Sequence, residues 1–167
     1  VGLHVRHGDS CMHAKLTPFR PECVPVEAYM ERVREMGRRY GAKTVFLSTD
    51  DPQAAEIAVR ESGDMRVIWL DIDRIALSGD WFLEFRMQEQ TSGTSANEVT
   101  ASAVMDLMLL SECDYFVGTF ASHMSRLAYE LMVARVGYFP PYISVDYPWC
   151  FHPLEKRDVP GFGMVNC

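Results

Sequence analysis

Short apolar runs alternate with segments of helical periodicity along most of the chain, and this alternation restricts the possible folds most strongly. The runs predicted as strands are residues 1–5, 43–49, 66–70, 114–118 and 135–139. The segments predicted as helices are residues 26–40, 52–60, 96–110 and 123–132. Alternating strands and helices are typical of parallel pairing, because each helix returns the chain to the same edge of the sheet. The sequence therefore predicts an α/β three-layer sandwich with a mainly parallel sheet.

The first strand leads directly into charged and hydrogen-bonding groups. His4, Arg6, His7 and Asp9 lie at its end, and Gly8 turns the chain. In an open α/β sheet, ligands bind outside the carboxyl ends of the strands. A guanidinium group forms paired bonds to phosphate oxygens, so this strand end suits a phosphorylated ligand. The alternative is a buried Arg–Asp pair that closes a βα turn.

A second polar group, Thr49 to Pro52, follows the second strand. Asp51 is a strong helix N-cap and Pro52 suits the first helical position, so Asp51 has a structural reason to be there. Asp50 has less of one, and we expect it close to Arg6 if the two strands are neighbours. Adjacent carboxylates point apart and no third ligand has suitable spacing, so no metal site is predicted.

A third polar group follows the fourth strand and leads into a helix. It includes Thr119, Ser122 and His123. The free amides and the dipole of a helix N-terminus both favour an anion, which indicates a phosphate site. Ser and Thr also cap helices that bind no ligand. In the preceding helix, Asp106 lies among apolar neighbours and needs a partner, which is either a structural ion pair or the donors of a ligand.

Length and charge exclude several classes of protein. We predict one domain over residues 1–167, with an irregular tail from about residue 141. The net charge of −7 argues against non-specific nucleic-acid binding, so an anionic ligand needs local Arg and His groups. The chain begins without Met and in mid-strand, which suggests a domain cut from a longer protein. No apolar run approaches the length of a membrane span, so membrane contact is expected only through a missing N-terminal anchor.

The cysteines leave the cellular compartment open. Cys11 and Cys23 flank a polar, proline-containing loop and are candidates for a disulfide in a secreted or lumenal protein. Cys150 and Cys167 could pair in the tail, and Cys113 is expected in the core. Five free thiols in a cytosolic protein are the alternative.

Several motifs together resemble the donor-binding half of the α1,6-fucosyltransferases, which belong with the bacterial Nod-factor fucosyltransferases. They are His4-Val-Arg6 with Asp9, Thr49–Pro52, Asp106–Asp114, Val117–Ser122 and Arg126–Met132. The resemblance implies a Rossmann-like, C-terminal half of a GT-B glycosyltransferase. It also implies GDP-fucose as the donor, no metal or other cofactor, inversion at the anomeric carbon, and a glycan or glycoprotein acceptor carrying N-glycans. The implied location is the Golgi lumen or another part of the secretory pathway.

The resemblance also implies roles for individual residues. Arg6 would hold the diphosphate, His4 would lie against the donor, and Asp106 would read the guanine edge. Phosphate would bind at the turn from Thr119, through Ser122 and the amides near His123. The carboxylates of Asp9, Asp50 and Asp51 would shape the site, with Asp9 orienting Arg6.

The chain departs from the family pattern in one segment. His7 replaces a second Arg, and Ser10 to Ala14 replaces a stretch that carries Lys and the Glu suggested as catalytic base. The predicted catalytic residues are therefore Arg6, Asp9 and His13, with His13 as the base. His7 or a group from the missing half are the other candidates for the base.

A second, local resemblance gives a different function. Val5 to Ser10 is similar to the phosphohistidine motif of the histidine phosphatases. In that case His7 would be the nucleophile, Arg6 a phosphate clamp and His123 the second histidine. A non-catalytic domain that binds a sugar or nucleotide is the remaining alternative.

Overall fold

In a computed structural model of the chain, residues 1–8, 10–11, 23–74, 95–149, 156–159 and 163–166 are described, the last two segments by their backbone alone. The strands are β1 Gly2–Val5, β2 Thr44–Thr49, β3 Arg66–Ile68, β4 Phe116–Gly118, β5 Tyr142–Ser144, β6 Lys156–Val159 and β7 Gly163–Asn166. The helices are α1 Val26–Tyr40, α2 Pro52–Arg60, α3 Ala96–Ser111 and α4 His123–Val136.

Five of these strands form one sheet in the order β3-β2-β1-β4-β5, and every pair in it is parallel. β1 lies in the centre, where Leu3 is in register with Leu47 of β2 and Val117 of β4. The strands β6 and β7 form a separate antiparallel pair. The prediction of an α/β fold with a mainly parallel sheet is therefore confirmed.

The two faces of the sheet bury two different apolar cores. Leu3 and Val5 of β1 point into the core that α1 and α2 cover. Phe46 and Phe116 point into the opposite core, which contains residues of α3 and α4. Successive side chains of a strand point to opposite faces, so a strand covered on both sides is apolar at nearly every position. His4 is the polar exception in β1.

Local signals in the sequence fix the predicted helix boundaries. Asp51 caps α2 by accepting from the Gln53 amide at 2.8 Å. Ser95 and Glu98 form a capping box at the start of α3. Gly41 ends α1 in the left-handed conformation, with φ of 73°, and its amide donates to the Gly37 carbonyl.

The predicted fifth strand at residues 135–139 is wrong. Helix α4 continues to Val136, and Gly137 ends it with φ of 77°. Arg135 is helical and donates from Nε and Nη2 to the carbonyls of Ser111 and Cys113, each at 2.9 Å. The strand forms only after the two prolines, at Tyr142–Ser144, in a tail that we expected to be irregular. The strands β6 and β7 lie in that tail too.

The disulfide expected between Cys11 and Cys23 is present, with 5.4 Å between the two Cα atoms. Cys113 is a free thiol and is partly buried. Cys150 and Cys167 lie outside the described residues, so their proposed pairing stays a prediction. No helix in the described part of the chain has the length and apolar character to cross a membrane.

Candidate functional site

The described residues of the three polar groups predicted from the sequence come at or after the ends of β1, β2 and β4, so they lie at the carboxyl edge of the parallel sheet. The strand order shows that the chain leaves β1 towards β2 on one side and later returns as β4 on the other. Such a reversal opens a crevice outside the two strand ends, and ligands of open α/β sheets bind there. The segments that follow β1 and β4 therefore border the candidate site.

Arg6 and Asp50 form an ion pair at this edge, as expected from their strands being neighbours. Arg6 donates from Nη1 to Asp50 Oδ2. The other carboxylate oxygen of Asp50 accepts from the His7 backbone amide at 2.9 Å. Asp50 thus holds both the turn after β1 and the guanidinium group. The Arg6 side chain keeps 31% of its surface exposed, so it is within reach of a ligand in the crevice.

Gly8 lets the Asp50 carboxylate approach the backbone. A Cβ atom at Gly8 would lie 2.9 Å from Asp50 Cγ and 3.6 Å from Arg6 Nη1. We expect Gly8→Ala to displace the carboxylate and to lower the free energy of unfolding by about 1–3 kcal/mol in urea titrations. In an Asp50→Ala background the same substitution is expected to cost far less. Equal costs in both backgrounds would contradict this explanation.

His7 is held at both ring nitrogens. Its Nδ1 lies 3.1 Å from Asp51 Oδ2, and its Nε2 lies 2.7 Å from the Val24 carbonyl oxygen. The ring also meets Tyr29 edge to face at 6.2 Å between centroids. A nucleophile or general base needs an accessible ring nitrogen. Both ring nitrogens of His7 are instead bonded within the protein, where they connect β1 to the N-cap of α2 and to the segment after Cys23. This arrangement does not suit His7 as a nucleophile.

His4 is 2% exposed, and its Nδ1 lies 2.7 Å from the hydroxyl oxygen of Ser125 in the first turn of α4. This bond ties the end of β1 to the start of α4. Burial, with the nearby charge of Arg6, lowers the pKa of His4 to about 3, so the ring is neutral in the folded protein. The structure places His4 beneath the crevice, bonded to the protein itself.

The neutral state of His4 predicts acid sensitivity. The folded pKa is lowered from 6.5, so this contribution to stability is present above pH 6.5 and is lost as the pH falls towards 3. We expect the difference in unfolding free energy between wild type and His4→Asn to fall by about 1.4 kcal/mol per pH unit in that window. Urea titrations at several pH values measure it, and a pH-independent difference would contradict the prediction.

Asp106 is buried in α3 and reaches the end of β2. Its exposed fraction is 5%, and Oδ2 accepts from the Ser48 hydroxyl at 2.9 Å. Burial raises its pKa to about 6, although the Ser48 bond and the charge of Arg74 both lower it. The other oxygen, Oδ1, has no hydrogen-bond partner within the described ranges. A buried acceptor of this kind calls for an explanation, and a ligand donor supplies one.

The N-terminus of α4 lacks the side-chain cap that α2 and α3 have. Ser122 occupies the N-cap position without a side-chain cap hydrogen bond. Thr119 is buried and its hydroxyl is hydrogen-bonded to Tyr29, while His123 is exposed. Uncapped amides at a helix N-terminus attract an anion through their N–H groups and through the helix dipole.

A buried carboxylate that we did not predict holds the turn before α4. Asp146 follows β5 and is 5% exposed. Its Oδ1 accepts from the Phe120 amide and the Ser144 hydroxyl, each at 2.8 Å, and its Oδ2 accepts from the Ala121 amide at 3.1 Å. These bonds occupy the amides just before the helix. The amides of the first helical turn therefore remain as the candidate anion site.

Comparison with known proteins identifies the family. Residues 1–139 match the family model described as alpha-(1,6)-fucosyltransferase N- and catalytic domains. The chain belongs to the alpha-(1,6)-fucosyltransferase family. It is 30% identical over 139 residues to an alpha-(1,6)-fucosyltransferase of Drosophila melanogaster, which covers 79% of this chain and 19% of that relative. The chain thus spans about a fifth of the length of the relative.

A solved structure supports the fold. The chain is similar to a crystal structure of POFUT1 in complex with GDP-fucose, with a TM-score of 0.58 over 86% of this chain and 40% of the other. The sequence identity is 10%, so this likeness speaks for the architecture alone. The Rossmann-like fold expected for a GT-B half is confirmed.

The family assignment leaves the individual site residues as predictions. The structure brings Arg6 and Asp50 together, and it ties β1 to α4 through His4. The predicted catalytic residues Asp9 and His13 lie outside the described residues, so their roles stay predictions. Within the described ranges, no group of three or more His, Cys, Asp or Glu side chains is arranged to hold a metal ion.

Four polar residues of this edge were missed at the sequence level: Ser48, Arg74, Ser125 and Asp146. Ser48 and Ser125 occupy positions that read as ordinary strand and helix residues. Arg74 follows β3 in a stretch without periodicity, and Asp146 lies in the tail that we expected to be irregular. No local pattern identifies them, because each acts through a partner distant in sequence.

Proposed function

We propose that this chain is the donor-binding part of an α1,6-fucosyltransferase that transfers fucose from GDP-fucose to an N-glycan. The main support is the uncapped N-terminus of α4 after β4, together with Arg6 after the neighbouring strand β1, where Asp50 orients the guanidinium group. Both elements favour a diphosphate, because the helix N-terminus supplies backbone amides and the guanidinium group of Arg6 supplies a positive charge with several N–H donors. Family membership supports fucose as the sugar.

The proposed reaction is a single displacement with inversion at the anomeric carbon. An acceptor hydroxyl forms the new glycosidic bond, its proton passes to a base, and the bond from the anomeric carbon to the phosphate oxygen breaks. The departing GDP gains negative charge, and Arg6 with the α4 amides would stabilise that charge without a metal ion. The engaged ring of His7 argues against it as the base, which leaves His13 or a group outside this chain.

The proposed setting is the Golgi lumen or another part of the secretory pathway. The disulfide between Cys11 and Cys23 supports an oxidising compartment, since such bonds are rare in the cytosol. The proposed partners are the nucleotide sugar and a glycan or glycoprotein acceptor.

A transfer assay tests the proposal. The full-length protein that contains this chain is incubated with GDP-fucose and an N-glycan acceptor in the presence of EDTA, and the products are analysed by mass spectrometry and NMR. We expect an α1,6-fucosylated glycan at an undiminished rate in EDTA. Binding of GDP-fucose without any product would favour the non-catalytic binding domain. Phosphate release with a trapped phosphorylated His7 would favour the phosphatase.

A further inference from the structure

Arg74 is a buried cation whose position is fixed at the end of β2. It is 6% exposed and lies in the segment after β3. Its Nε donates to the Thr49 carbonyl at 3.2 Å, and its Nη1 donates to the Ile72 carbonyl at 3.5 Å. These two contacts set the plane of the guanidinium group. The remaining amino group, Nη2, is buried and has no hydrogen-bond partner in the described part of the chain.

Asp106 carries a buried acceptor at the same end of β2. Its Oδ1 is the buried acceptor without a described partner, while its Oδ2 is bonded to Ser48. Ser48 and Thr49 are consecutive in β2, so Asp106 and Arg74 are anchored to neighbouring residues of one strand end. The charge of each side chain opposes the effect of burial on the pKa of the other, which agrees with this closeness. One buried donor and one buried acceptor, both on side chains anchored at the end of β2, thus have no hydrogen-bond partner among the described residues.

A ligand satisfies both groups if one of its edges carries an acceptor next to a donor. The acceptor then faces Arg74, and the donor faces Asp106. The 6-oxopurines have such an edge, because an N1–H donor adjoins the O6 acceptor. Adenine has the opposite arrangement, with an acceptor at N1 and a donor at the 6-amino group. Adenine would therefore place its acceptor against the carboxylate and its donor against the guanidinium, and both protein groups would stay unpaired.

We propose that Arg74 is a specificity-determining residue that donates from Nη2 to O6 of the donor's purine, while Asp106 Oδ1 accepts the adjacent N–H. This inference rests on the proposed function, since it assigns the base-reading groups of the same donor site. Arg74 selects 6-oxopurines by binding the O6 atom, and Asp106 selects them by accepting from the N1–H group. Loss of Arg74 should therefore change the preference between bases as well as the affinity.

Calorimetric titration of the full chain with GDP, IDP and ADP tests the role of Arg74. IDP keeps the N1–H and O6 pair and lacks the 2-amino group, so the wild type is expected to bind both GDP and IDP well above ADP. In Arg74→Met, GDP and IDP affinities are expected to fall by about 10- to 100-fold, while ADP affinity changes little. Arg32→Met, which removes an exposed Arg paired with Glu35, is the matched control.

Two results would overturn the inference, and they differ. If Arg74→Met keeps the wild-type ratio of GDP to ADP affinity, Arg74 has a structural role and the donor site still stands. If the folded wild type binds none of the nucleotides, the inference fails together with the proposed function. Circular dichroism checks the fold of each variant, and Arg74→Leu, which also lacks a donor and has the same expected loss of base preference, replaces the Met variant if that one does not fold.

Discussion

Replacing Asp146 with alanine is expected to lower the free energy of unfolding by about 3 kcal/mol or more. The carboxylate is buried and accepts from the Phe120 and Ala121 amides and from the Ser144 hydroxyl. Alanine leaves these donors without an acceptor, and each buried donor left unpaired costs about 1–3 kcal/mol. The same change frees the turn before α4, so the candidate phosphate site should loosen as well.

Asp146→Asn is the matched variant for this prediction. Burial raises the pKa of Asp146 despite its hydrogen bonds, which means that the fold disfavours the charged form of the carboxyl group. The accepting oxygens therefore stabilise the turn, and the negative charge does not. Asparagine keeps one accepting oxygen and the side-chain volume, and we expect a smaller loss than with alanine. Asp114→Ala, at an exposed carboxylate, serves as the control. Urea titrations that give Asp146→Ala a cost below 1 kcal/mol would contradict the proposed role.

Replacing Asp106 with asparagine is expected to stabilise the protein and to abolish donor binding. The folded pKa of Asp106 is about 6 against an ordinary value of 3.8. A carboxyl group with a raised pKa destabilises the fold once it ionises, so its cost is absent below pH 3.8 and complete above pH 6. Removing the charge should therefore raise the unfolding free energy at pH 7 by up to about 3 kcal/mol. Such an opposition between stability and binding is typical of functional sites.

The pH dependence separates this effect from simple repacking. The gain in Asp106→Asn should shrink as the pH falls from 6 and vanish below 3.8. Asp64→Asn, at an exposed carboxylate, makes the same chemical change without burial and should leave stability within about 0.5 kcal/mol. A destabilised Asp106→Asn variant at pH 7, or one that still binds GDP with wild-type affinity, would contradict this account.

The local parts of the fold could be predicted because local chemistry determines them. Helix α1 has the predicted bounds, with apolar spacing along its length and Gly41 at its end. The Asp51 cap and the Ser95 capping box are equally local signals. The prediction of a fifth strand was wrong because contacts with residues distant in sequence determine that segment. Residues 135–139 look strand-like alone, yet Arg135 is held in the helix by carbonyls of a segment 22 or more residues away.

The candidate site likewise contains contacts that could be predicted from the sequence and contacts that could not. The pairing of Arg6 with Asp50 followed from the expectation that parallel strands β1 and β2 end together. His4 was expected against the donor, whereas its buried bond to Ser125 depends on how α4 packs over the sheet. Asp146 and Arg74 bind backbone groups that only the folded chain brings near. Strand-end chemistry is thus readable from sequence, while the groups that support it from distant segments are not.

Calorimetric titration with GDP in EDTA tests the central claim most directly, namely that the edge formed by Arg6 and the α4 N-terminus holds a nucleotide diphosphate. We expect wild type to bind GDP in EDTA, and Arg6→Ala to bind it at least about tenfold more weakly, because a charge-assisted contact to phosphate is lost. Arg32→Ala, at an exposed site on α1, should bind as wild type does. Absence of binding by folded wild type, or equal affinities in wild type and Arg6→Ala, would contradict the account.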